Sequence, residues 1–260
     1  VIIGTTFSIL LKSYLPLICF PLAIVGLADD ILNISSSIRY IMQLLIALII
    51  ACYSTIPYIE NIYILPKYLL IIPIIFFGTA IINFVNFMDG LDGLTGSCLL
   101  VYFSVAALSF SSWLWPLIMS LLAFLFWNWN PAKIFMGNVG SIFLGSLWFG
   151  LILQSDSIDQ ALGLILVSSP LILDAGTCVI RRYMAGQNIF QAHRLHLYQR
   201  LQRSGLSHSN VCLIYVICSI LLGISFLLGG LLCTIICTLI IIYFGIYLDR
   251  NKALPFFNCI

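Results

Sequence analysis

Charged side chains are scarce in this 260-residue sequence: Asp, Glu, Lys and Arg together make up 8%, whereas hydrophobic residues make up 62%. Soluble domains carry about 25% charged and about 45–50% apolar residues, so this composition excludes a water-soluble globule. It also excludes a disordered chain, which would have too few apolar residues to form a core. The net charge of +2 is too small to indicate a nucleic-acid partner.

The nine cysteines include no CxxC pair, and most of them lie in apolar segments. This pattern argues against a disulfide framework and predicts small buried residues rather than metal ligands. No long linker or low-complexity run divides the chain, which predicts a single membrane-embedded domain over residues 1–260. The sequence begins at Val1 within an apolar run and without a signal-peptide pattern, so we expect an N-terminal truncation.

Long apolar runs dominate the sequence. A membrane-spanning helix needs about 20 mostly apolar residues, and lipid offers the backbone no hydrogen-bond partners, so the spans must be helical. The sequence therefore predicts an all-α polytopic integral membrane bundle with about nine full transmembrane helices and a partial one at the N-terminus. The predicted full spans are 15–28, 38–56, 68–86, 95–112, 113–130, 139–154, 160–180, 211–229 and 231–248, and the partial span is 1–11.

Lys and Arg residues are distributed unevenly between the two sides of these spans. Alternation along the chain places nine of them on the side that holds Asp29, and only Lys12 and Lys67 on the other side. Such an excess is typical of the cytoplasmic side. The same side holds nearly all the unusual polar clusters, which places the candidate chemistry at the cytoplasmic end of the bundle.

Two acidic pairs fall on this side, Asp29 with Asp30 and Asp89 with Asp92. Adjacent carboxylates ionise together only at a cost unless a cation compensates them, and hard oxygen donors near a phosphate suit Mg²⁺. The i,i+3 spacing of Asp89 and Asp92 puts both on one face if that segment is helical. The alternative is a solvated acidic pair at a helix end.

Amide side chains and a glycine-containing helix start add to these clusters. Asn83 and Asn86 end the preceding span, where their amides need hydrogen-bond partners. The stretch 137–141 precedes another span, so its N–H groups are expected at a helix N-terminus suited to phosphate. An ordinary helix cap is the alternative interpretation of this stretch.

Histidines and arginines cluster in a long segment on the same side. His193 and His196, together with Arg194, are suited to hold a diphosphate, although a basic segment lying on anionic lipid is the alternative. Asp174, inside a predicted span, is expected to pair with an Arg or another polar neighbour in a structural or catalytic role. The other arginines nearby are Arg181, Arg182, Arg200 and Arg203.

Four ordered motifs carry a family resemblance: Gly26-Leu-Ala-Asp29-Asp30, Asn83-x-x-Asn86-x-x-Asp89-Gly-Leu-Asp92-Gly-Leu, Asn128-x-x-Pro131-Ala-x-x-Phe-Met-Gly137 and His193-x-x-His196. In order and spacing they resemble the polyprenyl-phosphate N-acetylhexosamine-1-phosphate transferases, the MraY/WecA-like group of glycosyltransferase family 4. The resemblance covers about residues 15–205. Asp92-Gly-Leu-Thr95-Gly and His196-Leu-Tyr198-Gln199-Arg200 are most similar to the branch that initiates O-antigen synthesis.

The resemblance implies an enzyme that moves a HexNAc-1-phosphate from a UDP-N-acetylhexosamine to undecaprenyl phosphate and releases UMP, with Mg²⁺ or Mn²⁺ as cofactor. It implies a multi-pass protein of the bacterial inner membrane that faces the cytoplasm and starts lipopolysaccharide synthesis. By motif, Asn128 would contact the nucleobase and the two histidines would hold phosphates. The implied catalytic residues are Asp29, Asp30, Asp89 and Asp92; the substrate-binding residues are Asn83, Asn86, Asn128, His193, Arg194 and His196; the metal ligands are Asn86 and Asn138.

Two departures from the family pattern leave alternatives open. Asn138 stands where the family has an Asp that looks like a direct Mg²⁺ ligand, and one charge at about 4 Å is worth about 4 kcal/mol at an effective dielectric constant of about 20. The family's first cytoplasmic loop, with its Thr-Pro-x-Gly-Gly type motif, is missing. An inactive or weakly active homologue is therefore an alternative. An ion-coupled transporter that uses Asp89 and Asp92 is a further one, and it predicts acids at the bilayer midplane.

Overall fold

The computed structural model describes residues 13–54, 67–188, 191 and 193–256, and within these ranges its regular elements are all helices. The predicted all-α polytopic membrane bundle is thus confirmed as a fold class; the predicted partial span 1–11 lies outside the described residues. In chain order the helices are α1 (Leu15–Leu32), α2 (Ser36–Tyr53), α3 (Lys67–Met88), α4 (Leu94–Ser109), a 3₁₀ turn (Ser112–Leu114), α5 (Trp115–Asn128), α6 (Gly137–Leu153), α7 (Ile158–Val167), α8 (Ser169–Met184), α9 (Leu197–Arg203) and α10 (His208–Asn251).

Several of these helices are long and apolar enough to cross a membrane. Four of them pass on length and composition, or five if α7 and α8 are counted as one bent span. The four are Leu15–Leu32, Ser36–Tyr53, Leu70–Met88 and His208–Asn251, and shorter apolar helices cover Leu94–Ser109, Ser112–Asn128 and Gly137–Leu153. The chain is a multi-pass membrane protein.

The predicted span 160–180 is two helices rather than one. α7 and α8 meet around Ser168 with a bend of 72°. Pro170 stands in the first turn of α8, where a missing N–H group costs nothing. Within a helix continuous with α7, the same proline would remove a hydrogen bond and clash with the preceding turn. The prediction of an uninterrupted span is wrong because the apolar run conceals this proline break.

α10 folds back on itself at Gly230. This glycine has φ 68° and ψ −166°, a backbone conformation that is essentially restricted to glycine. Ile214 in the first half and Leu248 in the second line the same cavity of about 400 Å³, although a straight helix would place them about 50 Å apart. The two halves therefore lie side by side and correspond to the predicted spans 211–229 and 231–248.

α6 lies at the centre of the bundle. Every residue from Gly140 to Leu153 is buried, and α1 and α3 pack closely against it. Small residues make this close packing possible, because they let backbones approach in a lipid environment. A Cβ on Gly145 would lie 3.0 Å from Cα of Ile82 in α3. The N-terminus of α6 consequently lies among the ends of its neighbours.

Candidate active site

Asp29, near the end of α1, is joined to the start of α6. Its Oδ2 accepts hydrogen bonds from Nδ2 of Asn138 over 2.7 Å and from Nη1 of Arg39 over 2.6 Å. Asp29 is only 7% exposed, so its negative charge is compensated by a neighbouring guanidinium and a neutral amide. The sequence prediction grouped Asp29 with the start of α6 on one side of the membrane, and the two are in direct contact.

Asp30 caps α6. The backbone N–H groups of Asn138 and Val139 donate to its two carboxylate oxygens over 3.1 and 3.2 Å. Gly137, with φ 64°, brings the backbone so close that a Cβ there would lie 2.6 Å from Oδ2 of Asp30. The expected helix N-terminus is present, but its free N–H groups are satisfied by a carboxylate of the protein itself, in the manner of a cap.

Asn86, near the end of α3, joins the same group. Its Nδ2 donates to Oδ1 of Asn138 over 2.6 Å and to Oγ of Ser141 over 2.9 Å. The two residues implied as metal ligands by the resemblance are therefore hydrogen-bonded to each other. The amide of Asn138 links Asn86 to Asp29, because it accepts from one and donates to the other.

Asp89 lies just beyond the end of α3 and completes the group, which we call the carboxylate cluster: Asp29, Asp30, Asn86, Asp89 and Asn138. Burial and the nearby negative charge of Asp30 raise the pKa of the Asp89 carboxyl to about 8. Within the residues that the structure describes, no side-chain hydrogen bond or ion pair compensates this carboxyl. Of the cluster residues, Asp89 is therefore the one whose ionised form a bound cation would stabilise most.

Asp92 does not share a helical face with Asp89. The segment between α3 and α4 is a turn, in which Gly93 has φ 76°, so the condition for a shared face is not met. Oδ2 of Asp92 instead accepts from Nδ2 of Asn130 over 3.0 Å and from the N–H of Ala132 over 3.2 Å. Asp92 orders the loop that follows α5.

The predicted binding residues Asn128 and Asn83 have partners within the protein. Oδ1 of Asn128 accepts from the N–H of Gly93 over 3.1 Å, and its Nδ2 donates to the carbonyl of Ile134 over 2.8 Å. Asn83 exchanges hydrogen bonds with Gln43 of α2. The predicted contact of Asn128 with a nucleobase remains a prediction; in this structure the amide fixes two loops relative to each other.

Asp174 anchors the segment that carries the histidines. Its carboxylate accepts from the N–H groups of Leu197 and Tyr198 over 2.7 and 3.0 Å and from the hydroxyl of Tyr215 over 2.6 Å. The expected polar partners of Asp174 are therefore present, and none of these three is an arginine. A buried carboxylate at the first N–H groups of α9 stabilises the helix start.

The histidine segment, residues 193–196, lies against the carboxylate cluster. The hydroxyl of Tyr198 donates to the carbonyl of Phe87 over 3.1 Å, two residues before Asp89. The ring of His196 lies 6.2 Å from that of Phe87 and is stacked on His193 with the centroids 4.9 Å apart. Burial, with the charges of His196 and Arg182, lowers the pKa of His193 to about 4, so its imidazole is neutral at pH 7.

Most of the arginines near the histidines are bound within the protein. Arg181 makes two hydrogen bonds to Asp249, and Arg200 pairs with the same carboxylate. Arg182 donates to the carbonyls of Asn188 and Gln191. Arg194 and Arg203 are exposed, so Arg194 is the predicted arginine that remains available at the histidine segment.

Sequence reasoning missed three residues of this region. Asp249 neutralises two arginines, Arg39 compensates Asp29, and Cys178 lies 4.0 Å from Nδ1 of His193. No sequence signal indicates the first two: Asp249 lies 68 and 49 residues from its arginines, and Arg39, although ten residues from Asp29, belongs to the next helix. Cys178 follows Asp174 by one helical turn, and that spacing was a usable signal.

The donor types of the carboxylate cluster fit a hard cation. Asp30 and Asp89 offer carboxylate oxygens and Asn86 an amide oxygen, which are ligands that Mg²⁺ accepts. Burial, together with the nearby negative charge of Asp30, raises the pKa of Asp89, so a bound cation would favour its ionised form. Asn138 fits less well, because its oxygen already accepts from Asn86.

The fold and the site together define a multi-pass helical membrane protein with an acidic and amide-rich site at one end of the bundle. The sequence model of the family described as Glycosyl transferase family 4 matches residues 13–156, more than half of the chain. The chain belongs to this family. The match includes the whole carboxylate cluster and ends before the histidine segment.

Curated relatives agree with this assignment. A probable undecaprenyl-phosphate N-acetylglucosaminyl 1-phosphate transferase of Bacillus subtilis is 30% identical over 218 residues, which cover 76% of this chain and 60% of the relative. Phospho-N-acetylmuramoyl-pentapeptide-transferases of Endomicrobium trichonymphae and Leptospira biflexa are 32% and 36% identical over 117 and 110 residues. These matches cover 44% and 40% of this chain and 31% and 28% of the relatives. The chain therefore spans 60% or less of the length of these relatives.

Proposed function

We propose that this chain transfers a HexNAc-1-phosphate from a UDP-N-acetylhexosamine to undecaprenyl phosphate, giving a polyprenyl-diphosphate-linked sugar and UMP. Family membership and the activities for which the relatives are named support this reaction class. The observation that carries the proposal is the position of the carboxylate cluster beside the histidine segment at one end of a membrane bundle. A lipid phosphate and a water-soluble nucleotide can meet only at such an interface.

The chemistry requires charge compensation more than proton transfer. An oxygen of the lipid phosphate forms a bond to the sugar-bearing phosphorus, and the bond from that phosphorus to the UMP oxygen breaks. Nucleophile and leaving group are both phosphates, so no proton has to move in the balanced reaction. Positioning and electrostatic stabilisation supply most of the catalysis in such transfers.

In this proposal the cluster holds the cation and the histidine segment holds the nucleotide. Asp89 and Asp30 would bind Mg²⁺, which when present supplies the positive charge that the reacting phosphates need. Asp29, fixed by Arg39 and Asn138, orients the start of α6. The neutral ring of His193 and the exposed Arg194 would donate hydrogen bonds to phosphate oxygens.

The proposed location is the bacterial inner membrane, with the site facing the cytoplasm. The excess of Lys and Arg on the side of Asp29 supports this orientation. The motifs that resemble the O-antigen-initiating branch support a role at the start of lipopolysaccharide synthesis. Asp89 and Asp92 lie between α3 and α4 at the end of the bundle, whereas an ion-coupled transporter predicts acids at mid-depth.

A second candidate is a weakly active or inactive member of the same family. Asn138 favours it, because an amide at the centre of the cluster brings no negative charge to a metal. The two candidates differ in whether the unmodified chain turns over nucleotide sugar.

The test uses the full chain in liposomes that contain undecaprenyl phosphate, supplied with a panel of UDP-HexNAc donors. We expect UMP release together with a labelled lipid-diphosphate sugar, and a loss of about 100-fold or more in Asp89→Asn. Asp156→Asn, an exposed carboxylate between α6 and α7, is the matched control and should retain activity. Activity only after Asn138→Asp would favour the second candidate. If neither the unmodified chain nor Asn138→Asp forms lipid product with any donor, the proposal is contradicted.

A further inference from the structure

A cysteine and two histidines, none of them a member of the carboxylate cluster, come together beside Asp174. Cys178 projects from α8, His193 lies in the histidine segment, and His196 is the residue that caps α9. One potential ligand atom of each residue lies within 4.8 Å of the others. Cys178 and His196 are 3% and 2% exposed, whereas His193 is partly exposed and leaves access from solvent.

We propose that Cys178, His193 and His196 form a binding site for a borderline-soft transition-metal ion, with Zn²⁺ as its natural test ion. One thiolate and two imidazoles are the ligand types that such ions prefer, and they do not suit Mg²⁺ or Ca²⁺. The site shares His193 with the nucleotide contact proposed above, but it rests on the positions of its three ligand atoms and not on that activity. It gives a ligand role to one of the cysteines, which the sequence predicted to be small buried residues.

The distances are close to those of a coordinated set. Tetrahedral zinc with bonds of about 2.3 Å to sulfur and about 2.0–2.1 Å to nitrogen separates the two ligand atoms by about 3.6 Å. Sγ of Cys178 lies 4.0 Å from Nδ1 of His193; this nitrogen also accepts from the N–H of Leu195 over 3.4 Å, and the metal would replace that long hydrogen bond. A shift of a few tenths of an ångström in a loop side chain would bring this pair to ligand distance.

The surroundings of His196 point in the same direction. Its Nδ1 is buried, makes no hydrogen bond and lies 3.7 Å from Oδ1 of Asp174. Histidines that bind metals usually direct their second ring nitrogen at a carboxylate, which fixes the tautomer and leaves the other nitrogen free to bind. The carboxylate of Asp174 lies where such a partner would be, and its position is fixed by the hydrogen bonds from Leu197, Tyr198 and Tyr215.

The charge balance of the site is acceptable for a divalent ion. Zn²⁺ with a Cys178 thiolate leaves one positive charge, which the carboxylate of Asp174 offsets. Of the basic groups nearby, Arg181 and Arg200 are paired with Asp249, and Arg182 donates to backbone carbonyls. Three protein ligands leave a fourth position open to water.

The metal would tie α8 to the start of α9. Cys178 belongs to α8, and the two histidines belong to the segment that leads into α9. A ligand that binds the folded state raises its stability, so Zn²⁺ should raise the melting temperature of the chain. Mg²⁺ at the same concentration should not act through these residues.

The direct test titrates the purified, metal-free full chain with Co²⁺ and then with Zn²⁺. We expect a thiolate-to-cobalt charge-transfer band that corresponds to one ion per chain and disappears when zinc displaces that ion, whether or not a second cobalt ion binds at the carboxylate cluster. Cys178→Ser and His193→Gln should weaken binding by at least roughly tenfold. Cys218→Ser is the control. It removes another buried thiol, which lines the same cavity as Cys178, so this variant should bind the metal normally.

A second measurement on the unmodified chain guards against variants that fail to fold. Zn²⁺ should slow the alkylation of Cys178 and leave that of the exposed Cys52 unchanged, with both rates measured by peptide mapping. A cobalt complex without the charge-transfer band, or an unchanged alkylation rate at Cys178 in saturating Zn²⁺, would overturn the proposal.

Discussion

The side-chain amide of Asn138 donates to the carboxylate of Asp29 over 2.7 Å, so a neutral group connects two acidic segments of the site. The same amide accepts from Asn86 over 2.6 Å. A residue with both a donor and an acceptor satisfies both neighbours, which neither Asp nor Ala can do. Asn138 therefore has a defined structural role in this site.

Asn138→Asp should make the protein dependent on a divalent cation. The substitution places two carboxylates within hydrogen-bond distance, and like charges at that distance need a compensating cation. We expect a loss of about 1–3 kcal/mol of stability in EDTA and its recovery in Mg²⁺, measured as melting temperature. Asn138→Ala is the control, since it should lose stability without recovering it. An equal response to Mg²⁺ in the variant and the unmodified chain would contradict the argument.

Gly26→Ala should destabilise the contact between α1 and α6. A Cβ on Gly26 would lie 2.5 Å from the carbonyl oxygen of Asn138 and 2.6 Å from the nitrogen of Val139. These are backbone atoms of α6 and cannot move aside like a flexible side chain, so a cost of about 1–3 kcal/mol is expected.

Gly245→Ala is the matched control for that substitution. It lies within a helix and a Cβ there meets nothing within 4 Å, so it should be neutral or slightly stabilising. Thermal melts of both variants in the same detergent check the difference. Equal melting temperatures would show that the α1–α6 contact tolerates a methyl group.

Asp174→Asn should loosen α9 and the histidine segment. The substitution removes the charge and replaces one of two accepting oxygens with an amide that donates, leaving a backbone N–H or the Tyr215 hydroxyl unpaired. We expect a loss of about 2–3 kcal/mol, and a smaller loss of about 1 kcal/mol for Tyr215→Phe. Faster proteolysis at Arg194 would locate the effect. Equal losses in the two variants would argue against the helix-start role of Asp174.

Acid should destabilise the chain through His193. Its pKa is near 6.5 in the unfolded chain and about 4 in the folded one, so the unfolded state binds more protons between these values. Stability therefore falls as pH decreases from about 6.5 to about 4 and loses nothing further from this group below that. Melting temperatures in EDTA, compared between the unmodified chain and His193→Gln, isolate the contribution. Parallel pH profiles would refute it.

The sequence predicts the helices well wherever apolar runs are uninterrupted. α2 spans Ser36–Tyr53 where 38–56 was predicted, and α6 spans Gly137–Leu153 where 139–154 was predicted. The bend between α7 and α8 was missed because hydropathy does not detect one proline in the first turn of a helix. The alternation of spans also predicted that Asp30, Asp89 and His193 lie at one end of the bundle, because the number of spans before a segment decides its side of the membrane.

The partners of the site residues were not predictable in the same way. Asp30 occupies the helix start that was expected to bind phosphate, and Asn128 bonds two loops rather than projecting freely. Three of these four contacts join segments at least 35 residues apart, and all four depend on side-chain directions that spacing alone does not fix. The arginines near the histidines show the same limit, because their partner Asp249 belongs to the last turns of α10.

The reversal at Gly230 has an electrostatic consequence on the opposite face of the bilayer. It returns the chain so that Asp249 reaches Arg181 and Arg200. Deleting one residue from the returning half would rotate Asp249 by about 100° away from both guanidiniums and release two positive charges beside the imidazoles. The charge balance at one membrane surface is thus set by a backbone conformation at the other, and any residue with a Cβ at position 230 would strain that conformation.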